Sequence, residues 1–118
     1  APPFGGAVFL CKITDGGKHG KILSYQKMFG DWNRAMRWSK ELGIGWILPS
    51  ENEMLIISRN LMIINKKLLR CDLVPINGAH WTKVEYGANR AWRILLSNGD
   101  VSHAPKEYVY YVRAVFAF

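Results

Sequence analysis

Cysteine and acidic residues are scarce in this sequence, which has two cysteines and nine aspartates and glutamates among 118 residues. Cys11 and Cys71 lie far apart, without the Cys-x-x-Cys spacing or the histidine cluster of a zinc site, so a structural zinc is not expected. Cys11 ends an apolar stretch and is expected to be a small buried hydrophobic residue. A Cys11–Cys71 disulfide stays an alternative for an oxidising compartment.

Long hydrophobic runs are also missing, and no stretch reaches the roughly 18 apolar residues of a membrane span. The sequence does not start with a charged and then apolar leader, so it leaves the targeting open. It contains no low-complexity linker and no internal repeat, which indicates one domain over residues 1–118. Hydrophobic residues make up 49%, enough for a core that needs no metal or disulfide.

Aromatic and basic residues are plentiful. Phe, Tyr and Trp make up 13% of the chain, more than a core of this size needs, so some rings should lie at the surface. The net charge of +7 favours an acidic partner such as a sulfated or uronic glycan, an anionic surface or an acidic protein patch. Only Lys66, Lys67 and Arg70 form a local basic run, which is typical of a solvated helix face rather than a nucleic-acid interface.

The first half of the chain predicts two strands followed by helices. The strands are expected at residues 7–13 and 20–24, joined by a turn at Asp15-Gly16-Gly17. Asp31 is a typical N-cap for a helix that ends before Gly43. The inner face of that helix is expected to consist of Trp32, Ala35, Met36 and Leu42.

A capping box predicts the start of a second helix, because Ser50 is followed three residues later by Glu53. Met54, Ile57 and Leu61 should face inward in this helix. Asn60 is expected to interrupt it, and a helical rhythm resumes from Leu61 to Leu69.

The second half predicts strands and turns. Trp92, Ile94 and Leu96 alternate and should form the core face of one strand, with Arg93, Leu95 and Ser97 on the other face. Asn98-Gly99 indicates a two-residue hairpin turn, and residues 108–118 predict a long central strand. Two or three helices beside a twisted antiparallel sheet make an α+β domain.

Several motifs occur in a fixed order along nearly the whole chain. A Gly-Gly-x-Val-Phe opening lies at residues 5–9 and a Gly-x-Gly-Trp-x-Leu-Pro-Ser box at residues 43–50. A tail follows with Trp81, Glu85-Tyr86, Ala91-Trp92, Asn98-Gly99 and Tyr-Val-Arg-Ala-Val at residues 111–115. Together they resemble the C-type lectin-fold variable proteins of bacterial and phage diversity-generating retroelements, and the C-terminal domains of bacterial collagen-like adhesins.

The resemblance implies a C-type lectin-like fold with paired N- and C-terminal strands and a long, loop-rich second half. It also implies an extracellular, non-catalytic binding domain on a bacterial surface or a phage tail. In such proteins mutagenic reverse transcription diversifies selected codons, here within about residues 80–107, while a scaffold stays constant. The implied scaffold residues are Trp81, Glu85, Trp92, Gly99 and Arg113. The implied ligand-binding residues are His80, Lys83, Tyr86, Asn89, Arg90, Arg93, Leu95, Asn98, Asp100, Ser102 and His103.

Residue chemistry supports a binding surface in this segment. Tyr86 and Arg90 are of the types that dominate interface hot spots, and we expect them beside Arg93 and Leu95 on an exposed face. The partner is expected to be a cell-surface protein or glycan, not nucleic acid. A fixed-specificity adhesin for sulfated glycans is one alternative. A structural fibre tip is another, in which exposed aromatics such as Tyr86 and Tyr110 cover one another in a homo-oligomer.

Catalysis and cofactor binding have little support in the sequence. His19, His80 and His103 have no nearby pattern that would identify a nucleophile system. Calcium needs six to eight oxygen ligands, but the acids are scattered and the Glu-Pro-Asn and Trp-Asn-Asp triplets of sugar-binding C-type lectins are missing. No enzyme activity, metal or cofactor is expected.

Overall fold

The computed structural model describes residues 8–12, 20–24 and 26–117. The predicted turn at Asp15-Gly16-Gly17, His19 and the outer ends of the first predicted strand lie outside the described residues. The strands are β1 Val8–Lys12, β2 Gly20–Leu23, β3 Met28–Gly30, β4 Trp46–Ile47, β5 Ala79–Tyr86, β6 Arg90–Leu95, β7 Asp100–Pro105, β8 Tyr110–Val112 and β9 Val115–Ala117. The helices are α1 Trp32–Glu41, α2 Glu51–Arg59 and α3 Leu61–Arg70.

The strands form two sheets, which confirms the predicted α+β class. One has four strands in the order β1-β2-β9-β4, and the other has five in the order β3-β8-β5-β6-β7. All pairs are antiparallel except β5 with β8. The first and last strands share a sheet as expected, but β2 lies between them.

The helix boundaries follow the predicted caps. The Asp31 carboxylate accepts the Arg34 N–H at 2.9 Å, and the chain leaves α1 at Gly43, whose φ is +136°. At α2 the Ser50 hydroxyl accepts the Glu53 N–H at 3.2 Å, while the Glu53 carboxylate accepts the Ser50 N–H at 2.8 Å. Asn60 separates α2 from α3. The starts of α1 and α2 are determined locally, because the Asp31 and Ser50 side chains accept otherwise unpaired amides of the first turn.

Two hydrophobic clusters form the core, one on each face of the five-stranded sheet. The first packs α2 and α3 against β6 and β9 and contains Leu23, Met54, Ile57, Ile64, Leu68, Ile76, Ile94, Leu96 and Val115. The second packs α1 against β5, β6 and β8 and contains Trp32, Ala35, Leu48, Trp81, Ala91, Ala104 and Val112.

The closing segment is not one long strand, so that prediction is wrong. β8 and β9 belong to different sheets and are separated by the buried pair Arg113 and Ala114. The Arg113 guanidinium donates to the Ser24 carbonyl at 3.1 Å and to the Val74 carbonyl at 3.3 Å. The Ser24 hydroxyl accepts the Ala114 N–H at 2.9 Å. These bonds to distant parts of the chain fix the place where the chain passes from one sheet to the other.

The structure also differs from the sequence expectations at the Asn98-Gly99 turn and at Cys71. The Asn98-Gly99 pair lies in a four-residue connection, residues 96–99, rather than in a two-residue hairpin. Cys71 is a free, exposed cysteine, so the alternative of a Cys11–Cys71 disulfide is not realised. No helix in the described part of the chain is long and apolar enough to cross a membrane.

Candidate ligand-binding surface

Four side chains from neighbouring strands meet on one face of the five-stranded sheet. Tyr86 pairs with Arg90 across β5 and β6, and Trp92 pairs with His103 across β6 and β7. Residues 90 and 92 are two apart, so all four share a face. We call Tyr86, Arg90, Trp92 and His103 the ring patch.

The rings of this patch are in direct contact. Tyr86 and His103 stack with centroids 3.9 Å apart and planes 10° apart. Trp92 meets both edge-on, with centroids 5.3 Å from Tyr86 and 5.1 Å from His103. Stacked and edge-to-face pairs are favourable beyond their burial, by about 0.5–1.5 kcal/mol each. The patch is therefore ordered although Tyr86 is 48% exposed.

Arg90 holds the histidine of the patch in place. Its Nε donates to His103 Nδ1 at 2.7 Å, and its Nη2 donates to the His103 carbonyl at 3.2 Å. These two hydrogen bonds fix the orientation of the His103 ring within the patch.

The ring patch corrects two predictions. Trp92 is half-buried among Tyr86 and His103 rather than a core ring. Tyr86 and Arg90 lie on the Trp92 face rather than beside Arg93 and Leu95. The reason is that helices cover only part of this sheet face. Ile94 is buried against α2 in the first core cluster, whereas α2 does not extend over Trp92.

Arg93, Leu95, Asp100 and Ser102 alternate onto the opposite face, where they are half-buried or exposed. The Arg93 guanidinium lies 4.0 Å from the Asp100 carboxylate and 5.8 Å from the centre of the Tyr110 ring. An exposed pair of this kind contributes little to stability. The predicted variable residues thus divide between two surfaces instead of forming one.

A polar cleft of about 460 Å³ opens at the tip of the β5–β6 hairpin. Lys106 lines this cleft and is held by three contacts. Its ammonium lies 2.7 Å from the Glu85 carboxylate and 4.6 Å from the centre of the Trp32 ring, and its backbone N–H donates to the Asn89 carbonyl at 2.8 Å. Glu85, one of the implied scaffold residues, is exposed and pairs with this lysine. The cleft is lined by Asp31, Asn33, Arg37, Ala88, Asn89, Lys106 and Glu107.

Sequence reasoning missed the part of this cleft that comes from α1 and from the β7–β8 connection. Asn33 and Arg37 are one turn apart on the exposed side of α1. That spacing places them on one face, but no local signal indicates that the hairpin tip lies opposite.

His80, one of the predicted ligand-binding residues, is buried rather than exposed. Its side chain is 2% exposed, its Nδ1 lies 3.2 Å from the Gly78 carbonyl, and its ring centre lies 5.6 Å from that of Tyr111. Burial, opposed by the Gly78 bond and reinforced by the charge of Arg113, lowers the pKa of His80 to about 4. His80 is therefore a neutral core residue at neutral pH.

The other predicted residues have mixed surroundings. Lys83 is exposed in the irregular stretch between Trp81 and Glu85. The Asn98 side chain accepts the Asp100 N–H at 2.9 Å, which makes it a turn residue. Of the expected scaffold, Trp81 and Arg113 are buried, and Gly99 has a φ of +74°.

Both described histidines of the predicted binding set have hydrogen-bond partners. His103 is occupied by Arg90, and His80 is buried against a backbone carbonyl. Within residues 20–24 and 26–117, no three His, Cys, Asp or Glu side chains lie together as a metal site would require. The surfaces offer rings, amides and charges suited to reversible contact.

Comparison with solved structures finds C-type lectin-like proteins of snake venom. EMS16, an antagonist of the collagen receptor integrin α2β1, has a TM-score of 0.52 and 12% identity over 84% of this chain and 91% of its own. Botrocetin, in its complex with the von Willebrand factor A1 domain, has a TM-score of 0.53 and 12% identity over 98% of each chain. No protein-family model and no curated protein matches the sequence. The chain has a C-type lectin-like fold, as its motifs predicted.

Proposed function

We propose that this domain is a non-catalytic receptor module that binds a cell-surface protein or glycan, with the ring patch at the centre of the contact. The carrying observation is that Tyr86, Trp92 and His103 hold one another in place while Tyr86 stays half-exposed. Tyr, Trp and Arg are the residue types most enriched in interface hot spots. Rings that are already ordered lose less entropy on binding.

The structural neighbours support a protein as one class of ligand. EMS16 acts on an integrin, and botrocetin forms a complex with the von Willebrand factor A1 domain. They show that the C-type lectin-like fold serves protein recognition in these cases, and the present proposal extends that use to this chain by analogy of fold.

Binding through the ring patch is tested by Tyr86→Ala on arrays of cell-surface proteins and of neutral and sulfated glycans. For a ligand found with the wild type, the variant should lose roughly 2 kcal/mol, or about 30-fold in affinity. Tyr108→Ala is the matched control, because Tyr108 is 53% exposed and lies outside the patch. Equal binding by wild type and Tyr86→Ala would reject the ring patch as the contact.

The finer part of the proposal is that a retroelement diversifies the segment of about residues 80–107 and that the domain works on a bacterial surface or phage tail. The motif resemblance supports it, together with the exposure of Lys83, Tyr86, Asn89 and Asn98 in that segment. The test is to sequence the DNA around the gene. A near-copy of the segment beside a reverse-transcriptase gene, differing at template adenines, is expected; without it diversification is rejected.

A fixed-specificity adhesin for sulfated or acidic glycans is the second candidate. The net charge of +7 favours it. The salt dependence of ligand binding separates the receptor module from the acidic-glycan adhesin. Binding through exposed ion pairs weakens as ionic strength rises, while binding through an aromatic contact persists. The fibre-tip alternative rests on Tyr86 and Tyr110, but Tyr110 is half-buried against Trp81, with ring centroids 4.8 Å apart. A monomer in solution would reject this alternative.

A further inference from the structure

A second surface lies where α2 meets α3, away from the ring patch. A cleft of about 500 Å³ opens between this helical junction and the turn after β6. We call it the elbow cleft; it is lined by residues 58–63, Lys66 and Ser97.

Two hydrogen bonds shape the elbow cleft, one between its walls and one at the end of α2. The Ser58 hydroxyl donates to the Leu96 carbonyl at 2.7 Å, which ties α2 to the turn that carries Ser97. The Asn60 side chain donates to the Ile56 carbonyl at 2.8 Å and closes the last turn of α2. The cleft is therefore a preformed feature of the fold.

The apolar side chains of the elbow are unusually exposed. Met62 is 76% and Ile63 58% exposed, whereas α3 buries Ile64 and Leu68 in the core. Leu61 is half-buried at the same junction. Three consecutive large apolar residues at one corner offer an area that gains from being covered.

Basic side chains border this apolar area. Arg59 and Lys66 line the cleft itself, and both are exposed. Lys67 and Arg70 continue the positive charge along α3, and the helix contains no acidic residue. A partner that covers the apolar residues must therefore bring negative charge to their border.

The elbow cleft can be occupied at the same time as the ring patch. Arg90 begins β6 beside the patch, and Leu95 ends it next to the turn that holds Ser97. Six strand residues span about 17–20 Å. The two surfaces lie at opposite ends of this strand.

We infer that the elbow cleft docks an acidic amphipathic helix of a partner protein. Its apolar side chains cover Met62 and Ile63, and its carboxylates meet Arg59 and Lys66. Charge complementarity selects an acidic partner, and a concave site bordered by polar Asn60 and Ser97 suits inserted side chains better than a flat lipid surface. This contact would join the domain to a carrier while the ring patch stays free for its ligand.

The test uses a fluorescent synthetic helical peptide with Leu at every third and fourth position and Glu between them. A second peptide has Lys in place of Glu, and anionic phospholipid vesicles probe lipid binding. The wild type should bind the Glu peptide and neither the Lys peptide nor the vesicles. Met62→Gln should weaken binding about tenfold or more. Ile44→Gln is the matched control, because Ile44 is fully exposed outside the cleft.

A charge-swap variant distinguishes a specific loss of peptide binding from a loss caused by misfolding. The double variant Arg59→Glu with Lys66→Glu should lose the Glu peptide and gain the Lys peptide, whereas Lys40→Glu on α1 should behave as the wild type. A gain of binding cannot come from an unfolded protein. The inference is overturned if the Glu peptide does not bind, if the cleft variants bind like the wild type, or if the vesicles bind instead. Tyr86→Ala should leave peptide binding unchanged, so this result is separable from the ligand-binding proposal.

Discussion

Acidification should destabilise this domain through His80 before its carboxylates titrate. The imidazole is buried beside Arg113, and its pKa lies at about 4 instead of the ordinary 6.5. Between these two values the unfolded chain binds a proton that the folded chain does not, so the free energy of unfolding falls as pH falls. Above pH 6.5 the full stability is present.

The size of this loss follows from the separation of the two pKa values. Each pKa unit corresponds to about 1.4 kcal/mol, so His80 should cost about 2–3 kcal/mol between about pH 7.5 and about pH 4.5. Glu53 affects the free energy of unfolding at lower pH than His80. Burial alone would raise its pKa, but bonds from Lys21 and Ser50 outweigh burial and leave it below 4.5. Its contribution is present above pH 4.5 and is lost below that value.

Urea unfolding at a series of pH values measures this loss directly. His80→Gln removes the titrating ring, so its stability should be nearly flat between about pH 6.5 and about pH 4.5, whatever its starting value. Leu48→Ala is the control, because Leu48 is buried and does not titrate, so this variant should be less stable but keep the wild-type slope. Parallel curves for the wild type and His80→Gln would refute the argument.

Three mutations test the packing and the caps by denaturant unfolding at neutral pH. Ser50→Ala should cost about 1 kcal/mol, because it removes one half of the capping box; no loss would mean that water replaces the bond. Gly45→Ala should cost at least about 1 kcal/mol more than Gly87→Ala. Both glycines have a positive φ, but a Cβ at Gly45 would lie 2.5 Å from the Phe116 ring, whereas a Cβ at Gly87 would meet no atom within 4 Å. Equal losses would contradict that contact. Trp81→Ala should cost about 3–5 kcal/mol, since the ring is fully buried and donates to the Gly30 carbonyl at 3.1 Å; a loss below about 1 kcal/mol would contradict its core position.

The ring patch and the elbow cleft suggest how a small domain can serve two contacts. Strands β5 to β7 hold the rings, and the Ser58 bond to the Leu96 carbonyl ties α2 to the turn that lines the elbow cleft. Preorganised sites lose less ordering entropy on binding.

Features that depend on neighbours in the chain were predictable. Asp31, Ser50 and Asn60 mark the helix boundaries because a cap acts within three or four residues. The inward residues Met54 and Ile57 followed from helical periodicity. The fold itself followed from motif order along the chain.

Features that depend on distant neighbours were not predictable. Alternation placed Trp92 and Ile94 on one face, but only the position of α2 decides that Ile94 is covered and Trp92 is open. His80 is buried because Tyr111 and Arg113 pack beside it.

The sequence by itself determined the class of fold, the helix ends, the basic character and the surplus of rings, because each of these is local or compositional. Only the tertiary structure decided which rings reach solvent, where the closing segment steps between sheets at Arg113, and which distant residues form the polar cleft. A sheet face is covered or open according to the elements that pack on it, and that packing is a property of the whole chain.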